Sequence, residues 1–273
     1  MSASLATAAA NAPAVLRRDE DAVALLTLNR AASRNALSRA MLAALREALE
    51  AIAGDESIRC VVIAAEGPVF SSGHDLKELT AHRADPDGGA AFFTETLDDC
   101  AAMMQQVVYL PQPVIGAVEG VATAAGCQLA ASCDLLVASE TAQFCTPGVN
   151  LGLFCTTPAV AIARAMPRKA AMEMLLLGEM VPAAEAQRMG LVNRVVPKGQ
   201  ALAAAMEMAG RIAARSGAAL RLGKRGVNAQ LGQPLDRAYR LASEIMVENL
   251  LAEDAIEGIG AFLGKRQPEW RHR

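Results

Sequence analysis

The chain has 273 residues, of which 53% are hydrophobic and 3% aromatic, and its formal net charge is −3. That length suits one large domain or a domain with an appendage, with a core built mostly from Ala, Leu, Val and Met. The small negative charge gives no reason to expect nucleic acid as a partner, so an anionic ligand would need a local basic patch. No apolar run approaches the roughly 18 residues of a transmembrane helix, so no membrane span is expected.

The first residues, MSASLATAAANAP, are rich in Ala and Ser and lack the basic start and long apolar stretch of a signal peptide. We expect a flexible tail over 1–13, with an organelle transit peptide as the open alternative. None of the cysteines forms a C-x-x-C pair, which favours reduced, mostly buried thiols of a cytoplasmic protein. The three histidines, His74, His82 and His272, show no ligand spacing, so no metal site is expected.

The first half of the chain alternates between strand and helix patterns. Apolar runs at 22–28, 60–64, 113–120 and 134–139 predict buried strands, and 67–77 is expected to be a loop. Ser38 is a candidate N-cap for a helix that ends at Gly54, and a longer helix is expected to follow 85–89 and to run towards Leu110. Continuous apolar strands separated by helices indicate a parallel or mixed sheet that is covered on both faces.

From about residue 199 the pattern is almost wholly helical, with breaks near Gly217, 232–234 and Glu253. We therefore predict an α/β core over 14–200 and a helical C-terminal part over 201–273. A dinucleotide-binding dehydrogenase is disfavoured, because no G-x-G-x-x-G follows the first strand.

Four segments carry a family resemblance. They are LNRAASRNAL at 28–37, FSSGHDLKEL at 70–79, PVIGAVEGVATAAGCQLAASCDLLVAS at 113–139 and EGIGAFLGKRQPEW at 257–270. In this order and at these separations they resemble the crotonase (enoyl-CoA hydratase/isomerase) superfamily along nearly the whole chain. The resemblance implies a ββα spiral core and a C-terminal helical part that forms homotrimers, often paired into hexamers.

The resemblance also implies a substrate class, acyl-CoA thioesters, with coenzyme A as part of the substrate and no covalently bound cofactor. Chemistry next to a thioester places negative charge on the carbonyl oxygen, which two fixed backbone N–H groups can stabilise. By resemblance these donors belong to His74 and Ala125. The small residues around them, in Ser71-Ser72-Gly73 and Ala124-Ala125-Gly126, would let a ligand approach the backbone closely.

Further residues are implied as CoA or substrate contacts by the same resemblance. The backbone around Ser72, Gly73, Asp75 and Leu76 would meet the adenine end, although the family uses the aspartate mainly for structure. Arg30 and Arg34 would lie near the phosphates, and Phe262 and Lys265 would reach the CoA of a neighbouring subunit. For Lys265 and Arg266 a solvated pair of charges is an equal alternative. An apolar acyl pocket is expected from the residues that follow the third motif, namely Val149, Leu151, Leu153 and Phe154.

The sequence departs from the family at its acid/base positions. The first glutamate of a hydratase corresponds to Gln128, whose amide cannot exchange a proton near neutral pH. The second corresponds to Gly148, which removes the carboxylate and is expected to leave open space. The aspartate of the isomerase branches corresponds to Thr156. The remaining candidates for proton transfer, His74, Cys127, Cys145 and Cys155, are each more readily explained as structural residues.

Three functions stay open. The first is a hydratase/isomerase relative with altered chemistry. The second is a decarboxylase of malonyl-type acyl-CoA, because SSGHDL and TPGVNLG resemble that branch and loss of CO₂ makes an enolate without a base. Against the second, the decarboxylases have a tyrosine where this chain has Cys155. The third is a non-catalytic acyl-CoA-binding protein.

Overall fold

The computed structural model describes residues 12–273 and contains two β-sheets with helices packed around them. The predicted flexible tail lies almost entirely in residues 1–11, outside the described part. The strands are β1 (Val15–Glu20), β2 (Val23–Leu28), β3 (Cys60–Ala65), β4 (Val69–Ser71), β5 (Val114–Val118), β6 (Val121–Thr123), β7 (Leu135–Ser139), β8 (Gln143–Cys145), β9 (Val181–Pro182) and β10 (Arg194–Val196).

The larger sheet has the order β1-β2-β3-β5-β7-β10, and the smaller has the order β4-β6-β8-β9. In the larger sheet β1 is antiparallel to β2, while all the other neighbours are parallel. In the smaller sheet β9 alone is antiparallel to its neighbour. The predicted α/β class is confirmed.

The helices are α1 (Arg39–Ala53), α2 (Leu76–Ala81), α3 (Ala90–Tyr109), α4 (Ala125–Ser132), α5 (Thr156–Ala165), α6 (Arg168–Leu177), α7 (Ala183–Arg188), α8 (Ala201–Ala213), α9 (Gly217–Gln230), α10 (Leu235–Leu251) and α11 (Glu253–Leu263). Short 3₁₀ turns occupy Ala31–Ser33, His82–Ala84 and Pro147–Leu151. In the described residues no helix combines the length and the hydrophobicity that a bilayer crossing requires.

Local signals account for much of this order. The Ser38 side chain accepts the N–H of Met41 at the start of α1, and Gly54 ends that helix, as predicted. The loop prediction for 67–77 is wrong in part, because β4 and the first two residues of α2 lie within it, and the loop proper is 72–75. Strand β1 has the sequence VLRRDE and is mostly exposed. Because its charged residues break the apolar pattern, it was not predicted as a strand.

The six-stranded sheet is covered on one face by α8, the first helix of the predicted C-terminal part. Its alanines Ala205, Ala209 and Ala213 are buried together with Val62 and Ile115 of the sheet. The other face packs against α1 and α3 in the larger hydrophobic cluster. Helix α8 therefore packs on the sheet as part of the core. The remaining C-terminal helices are α9, α10 and α11.

A lysine ties α9 to the core. The Lys224 Nζ donates to the carbonyl oxygens of Val107 and Gln112 at 3.2 and 3.1 Å, and to the Asp134 carboxylate at 2.6 Å. Only 8% of the lysine side chain is exposed, against 29% of the aspartate side chain. Burial raises the pKa of Asp134, and Lys224 opposes that rise.

Candidate active site

Two backbone turns meet where β4 and β6 end. A Cβ atom built on Gly73 would lie 2.8 Å from the Ala124 Cβ and 3.0 Å from the Ala125 backbone nitrogen. Gly73 has φ +84°, a backbone conformation that residues with a Cβ atom rarely adopt. A Cβ built on Gly126 would lie 2.3 Å from the Ser71 carbonyl oxygen, so the turns can approach this closely only with glycine at both positions.

The first turn is held by a buried asparagine to which the sequence analysis assigned no role. The Asn35 Nδ2 donates to the carbonyl oxygens of Glu66 and Val69 at 2.9 and 2.7 Å, and its Oδ1 accepts the Arg30 N–H at 2.8 Å. The Ser71 hydroxyl donates to the Asn35 carbonyl oxygen at 2.8 Å. The sequence could have predicted this role, because an asparagine in a loop otherwise rich in alanine is a candidate for hydrogen bonds to the backbone.

The predicted oxyanion donors are the backbone N–H groups of His74 and Ala125. Within residues 12–273 neither N–H donates to a backbone or side-chain acceptor. Ala125 is the first residue of α4, where N–H groups have no partner inside the helix. Ala124 precedes it with φ 51° and ψ −122°, a strained conformation for a residue with a Cβ atom. The geometry therefore leaves two unpaired donors beside the Gly73 turn.

The side chain of His74 lies mostly buried next to its own backbone donor. Neither ring nitrogen makes a hydrogen bond of good geometry within the described residues, although the Leu37 backbone lies close enough to favour the protonated ring. Burial lowers the pKa of His74, so the imidazole is neutral near pH 7 and offers one donor and one acceptor. It could therefore hydrogen-bond a substrate group, but its lowered pKa makes it a weak base.

Gln128 occupies the position predicted for the first missing glutamate. The residue is only 4% exposed, and its Oε1 has no hydrogen-bond partner among the described residues. Its backbone N–H donates to the Ala124 carbonyl oxygen in the first turn of α4. Helical side chains lean towards the helix N-terminus, so the Gln128 side chain lies on the face of Ala124 and Ala125. The unpaired amide oxygen calls for a donor from a ligand or from water.

Gly148, at the predicted position of the second missing glutamate, does not leave the open space that glycine predicts there. A Cβ built there would lie 2.8 Å from the Cys155 Sγ, 3.2 Å from the Leu153 carbonyl oxygen and 3.3 Å from the Cys155 nitrogen. The chain folds back after the 3₁₀ turn, and the Leu153 N–H donates to the Gly148 carbonyl oxygen at 2.9 Å. The thiol of Cys155 therefore fills the direction in which a carboxylate side chain would leave residue 148.

Three thiols lie near this turn. Burial raises the pKa of Cys127 to about 12 and that of Cys145 to about 11, and it also raises the pKa of Cys155. The charge that Cys155 would carry as a thiolate raises the pKa values of Cys127 and Cys145 further. All six cysteines are free, and no group of three ligand side chains in 12–273 is arranged to hold a metal ion.

Of the residues predicted to contact CoA, some are already hydrogen-bonded within the protein and others are exposed. Asp75 caps α2 by accepting the N–H groups of Lys77 and Glu78, and Leu76 is exposed beside it. The Arg30 guanidinium donates to the carbonyl oxygens of Ala12, Pro13 and Asn29, so it is already engaged, whereas Arg34 is exposed.

The residues predicted for the acyl pocket lie on the turn that follows Gly148 or directly after it. Leu151, Leu153 and Phe154 are exposed, at 62, 56 and 42% of their surface, and Val149 is half-buried. Thr156, the isomerase position, is exposed at the start of α5. Phe262, 82% exposed, and Lys265 lie at and just beyond the end of α11. The roles assigned to these residues stay predictions.

Comparison with known proteins decides the family. The family model described as enoyl-CoA hydratase/isomerase matches residues 18–273. The chain belongs to the enoyl-CoA hydratase/isomerase family. It is 49% identical to rat enoyl-CoA hydratase domain-containing protein 3, mitochondrial, over 93% of this chain and 83% of the rat protein. It is 39% identical to the Escherichia coli 2,3-dehydroadipyl-CoA hydratase over 92% of this chain and 96% of that protein.

Solved structures agree with this assignment. A Mycobacterium smegmatis enoyl-CoA hydratase superposes with a TM-score of 0.90 at 47% identity, covering 95% of this chain and 99% of the other. Human enoyl-CoA hydratase domain-containing protein 3 gives a TM-score of 0.89 at 46% identity, covering 94% and 100%. The predicted crotonase-type architecture of this family member is confirmed.

The predicted cytoplasmic location is wrong. Similar proteins from rat, mouse and human are all named as mitochondrial. The prediction rested on reduced cysteines and on the lack of a secretory signal, and neither feature separates the cytoplasm from the interior of an organelle.

Gly148→Ala tests the packing between Gly148 and Cys155. We expect the free energy of unfolding to fall by about 1–3 kcal/mol, because the new methyl group overlaps the Cys155 sulfur. In the Cys155→Ala background the same substitution should cost less, because the sulfur is gone and only the tight backbone contacts with Leu153 and residue 155 remain. Denaturant unfolding of wild type, both single variants and the double variant gives the coupling directly. A coupling near zero would contradict the contact.

Proposed function

We propose that this family member binds an acyl-CoA thioester with the carbonyl oxygen between the backbone N–H groups of His74 and Ala125. The observation that carries the proposal is the close approach of the Gly73 and Ala124–Ala125 turns, together with the lack of an acceptor for either N–H within residues 12–273. A thioester carbonyl becomes an enolate oxygen when negative charge forms at C2, and each fixed donor stabilises that charge by about 3 kcal/mol.

The acid/base chemistry differs from that of a two-glutamate hydratase. Hydration of an enoyl thioester needs groups that take a proton from water and return one to carbon. Gln128 cannot exchange a proton, residue 148 has no side chain, and the nearest thiols have raised pKa values. We therefore expect hydration to be slower by at least about 10²–10⁴-fold, the usual contribution of one acid/base group.

Decarboxylation of a malonyl-type thioester is the second candidate. Loss of CO₂ generates the thioester enolate directly, so two donors in a site without a strong base are sufficient. His74 favours this candidate, because its backbone N–H is one of the two donors and its neutral ring can hydrogen-bond the substrate without acting as a strong base. No covalently bound cofactor is required for either reaction, since coenzyme A arrives with the substrate.

The test is a parallel assay of purified protein with crotonyl-CoA and with methylmalonyl-CoA, followed by mass spectrometry of the thioester products. Binding of butyryl-CoA, a saturated thioester that can do neither reaction, is measured separately by calorimetry. We expect butyryl-CoA to bind, hydration to be very slow and methylmalonyl-CoA to be the better substrate. Binding without turnover of either thioester would favour the acyl-CoA-binding protein, and hydration at the rate of a two-glutamate hydratase would contradict the proposal.

The variant Gln128→Glu/Gly148→Glu tests whether the missing carboxylates explain the slow hydration. Because the Cys155 sulfur fills the space next to residue 148, we expect hydration only when Cys155→Ala is added to the two glutamates. The same variant without Gln128→Glu serves as the matched control. If the triple variant folds and binds butyryl-CoA but still fails to hydrate, the two positions have been assigned wrongly.

We further propose that α10 and α11 mediate self-association into trimers or hexamers. Both helices carry large apolar side chains on their surface, including Leu235, Tyr239, Leu251, Phe262 and Leu263, each more than two-thirds exposed. Apolar surface of this extent favours burial against a further copy of the chain. Sedimentation of wild type and of Phe262→Asp/Leu263→Asp gives the oligomeric state, and a monomeric wild type would overturn this assignment.

A further inference from the structure

Cys155 is a nucleophilic side chain that the proposed reactions leave unused. It is half-buried, and its sulfur lies 2.8 Å from the point where a Cβ of residue 148 would stand. The three residues before it in the chain include exposed Leu153 and Phe154 of the predicted acyl pocket. The thiol therefore stands where a hydratase of this family would direct a carboxylate.

The thiol, the oxyanion donors and Gln128 belong to one region. The Ala124 N–H donates to the Cys145 carbonyl oxygen at 2.9 Å, which joins the end of β8 to the second turn, and Gly148 follows three residues later. Gln128 leans over the same turn with its buried Oε1 unpaired. A buried amide oxygen and two backbone N–H groups of the same helix start and facing turn lack partners in residues 12–273, which indicates that a polar ligand or water completes this region.

We infer that the Cys155 thiol adds to C3 of an α,β-unsaturated acyl-CoA whose carbonyl oxygen is bound by the His74 and Ala125 N–H groups. This inference rests on the proposed function of the same site. The Sγ–C3 bond forms while the C2=C3 π electrons move to make the thioester enolate. The thiol loses its proton, C2 gains one from solvent, and the result is a thioether that retains the whole acyl-CoA. The step is a net addition of S–H across C=C and needs no oxidant or reductant.

The rate of thioether formation depends on how much of Cys155 is present as the thiolate and on how closely the alkene is held. The thiolate is the nucleophile, and burial raises the pKa of Cys155, although the Gly148 N–H facing the sulfur partly offsets the effect. Holding the alkene next to the sulfur can supply an effective molarity on the order of 10⁵ M or more. We therefore expect one adduct per chain to accumulate over hours, as a side reaction that slowly occupies the site.

Intact-protein mass spectrometry tests this inference. Wild type is incubated with crotonyl-CoA and quenched in acid, and a parallel sample receives butyryl-CoA, which has no double bond. We expect a gain of one whole crotonyl-CoA per chain and no gain with butyryl-CoA. Cys155→Ser should lower the labelling at least tenfold, while Cys133→Ser, which alters another half-buried thiol, should label like wild type. Peptide mapping locates the modified residue.

Butyryl-CoA affinity, measured on wild type and on both variants, separates the possible failures. Binding of butyryl-CoA without any crotonyl-CoA adduct would overturn the role of Cys155 and leave the proposed function intact. No binding would remove the basis of both. An adduct on another cysteine, or a gain of the crotonyl group alone with release of CoA, would also overturn the inference, because the second result is acyl transfer rather than addition to C3.

Discussion

Gly73→Ala is expected to abolish carbonyl binding in the oxyanion hole. The new methyl group would lie 2.8 Å from the Ala124 Cβ and 3.0 Å from the Ala125 nitrogen, so it blocks one donor and separates the two turns. Loss of one such donor lowers turnover by about 10²–10³-fold. The measurement is turnover of the better thioester from the parallel assay, together with the infrared carbonyl stretch of bound ¹³C-labelled butyryl-CoA, which should shift back towards its value in water.

Gly232→Ala is the matched control for Gly73→Ala. Gly232 has φ +82°, close to that of Gly73, but a Cβ built there meets nothing within 4 Å. Both variants should lose about 1 kcal/mol of stability from the backbone conformation, and Gly73→Ala should lose more because its methyl group overlaps the second turn. Only Gly73→Ala should change turnover and the carbonyl stretch. Equal turnover in the two variants would mean that the carbonyl is bound elsewhere.

Lys224→Met is expected to lower the free energy of unfolding by about 2–4 kcal/mol at pH 7, because it leaves the Asp134 carboxylate and two carbonyl oxygens without their cation. The lower part of that range reflects the 29% of the Asp134 side chain that water still reaches. Denaturant unfolding gives the value. Lys169→Met, which removes an exposed lysine of α6, should change stability by less than about 0.5 kcal/mol.

The stability lost in Lys224→Met should depend on pH in a defined direction. Burial raises the pKa of Asp134, and removal of Lys224 raises it further. A group whose folded pKa lies above its unfolded value destabilises the fold as pH rises from about 4 through the folded pKa. The deficit should therefore shrink as the pH is lowered from 7 towards 4, and Lys224→Met/Asp134→Asn should show no such dependence. A deficit that stays constant over this range would contradict the pairing of Lys224 with Asp134.

Sequence patterns predicted strands β2, β3, β5 and β7 and helices α1, α3 and α8 to α11, because apolar periodicity and caps act locally. Apart from β7, the elements from β6 to β10 were not predicted, and neither was α2. Ser38 and Gly54 marked both ends of α1, and the breaks near Gly217 and 232–234 separated the C-terminal helices. Strand β1 was missed because its charged residues face solvent and its place is fixed by pairing with β2. Strand β4 was missed because three residues between turn-forming segments carry too little signal.

The sequence by itself determined the family, the glycine-rich turns and the chemical absence of glutamate at 128 and 148. Only the tertiary structure decided how those positions are filled. Glycine at 148 indicates open space when the chain is considered alone, but the backbone folds back and places the Cys155 sulfur there. Likewise, the Arg30 guanidinium donates hydrogen bonds to nearby carbonyl oxygens, and Asn35 holds the Gly73 turn through its own hydrogen bonds. The Asn35 bonds join segments more than thirty residues apart, and the Gly148–Cys155 contact depends on how the short turn between them folds back. Local propensity carries no information about either.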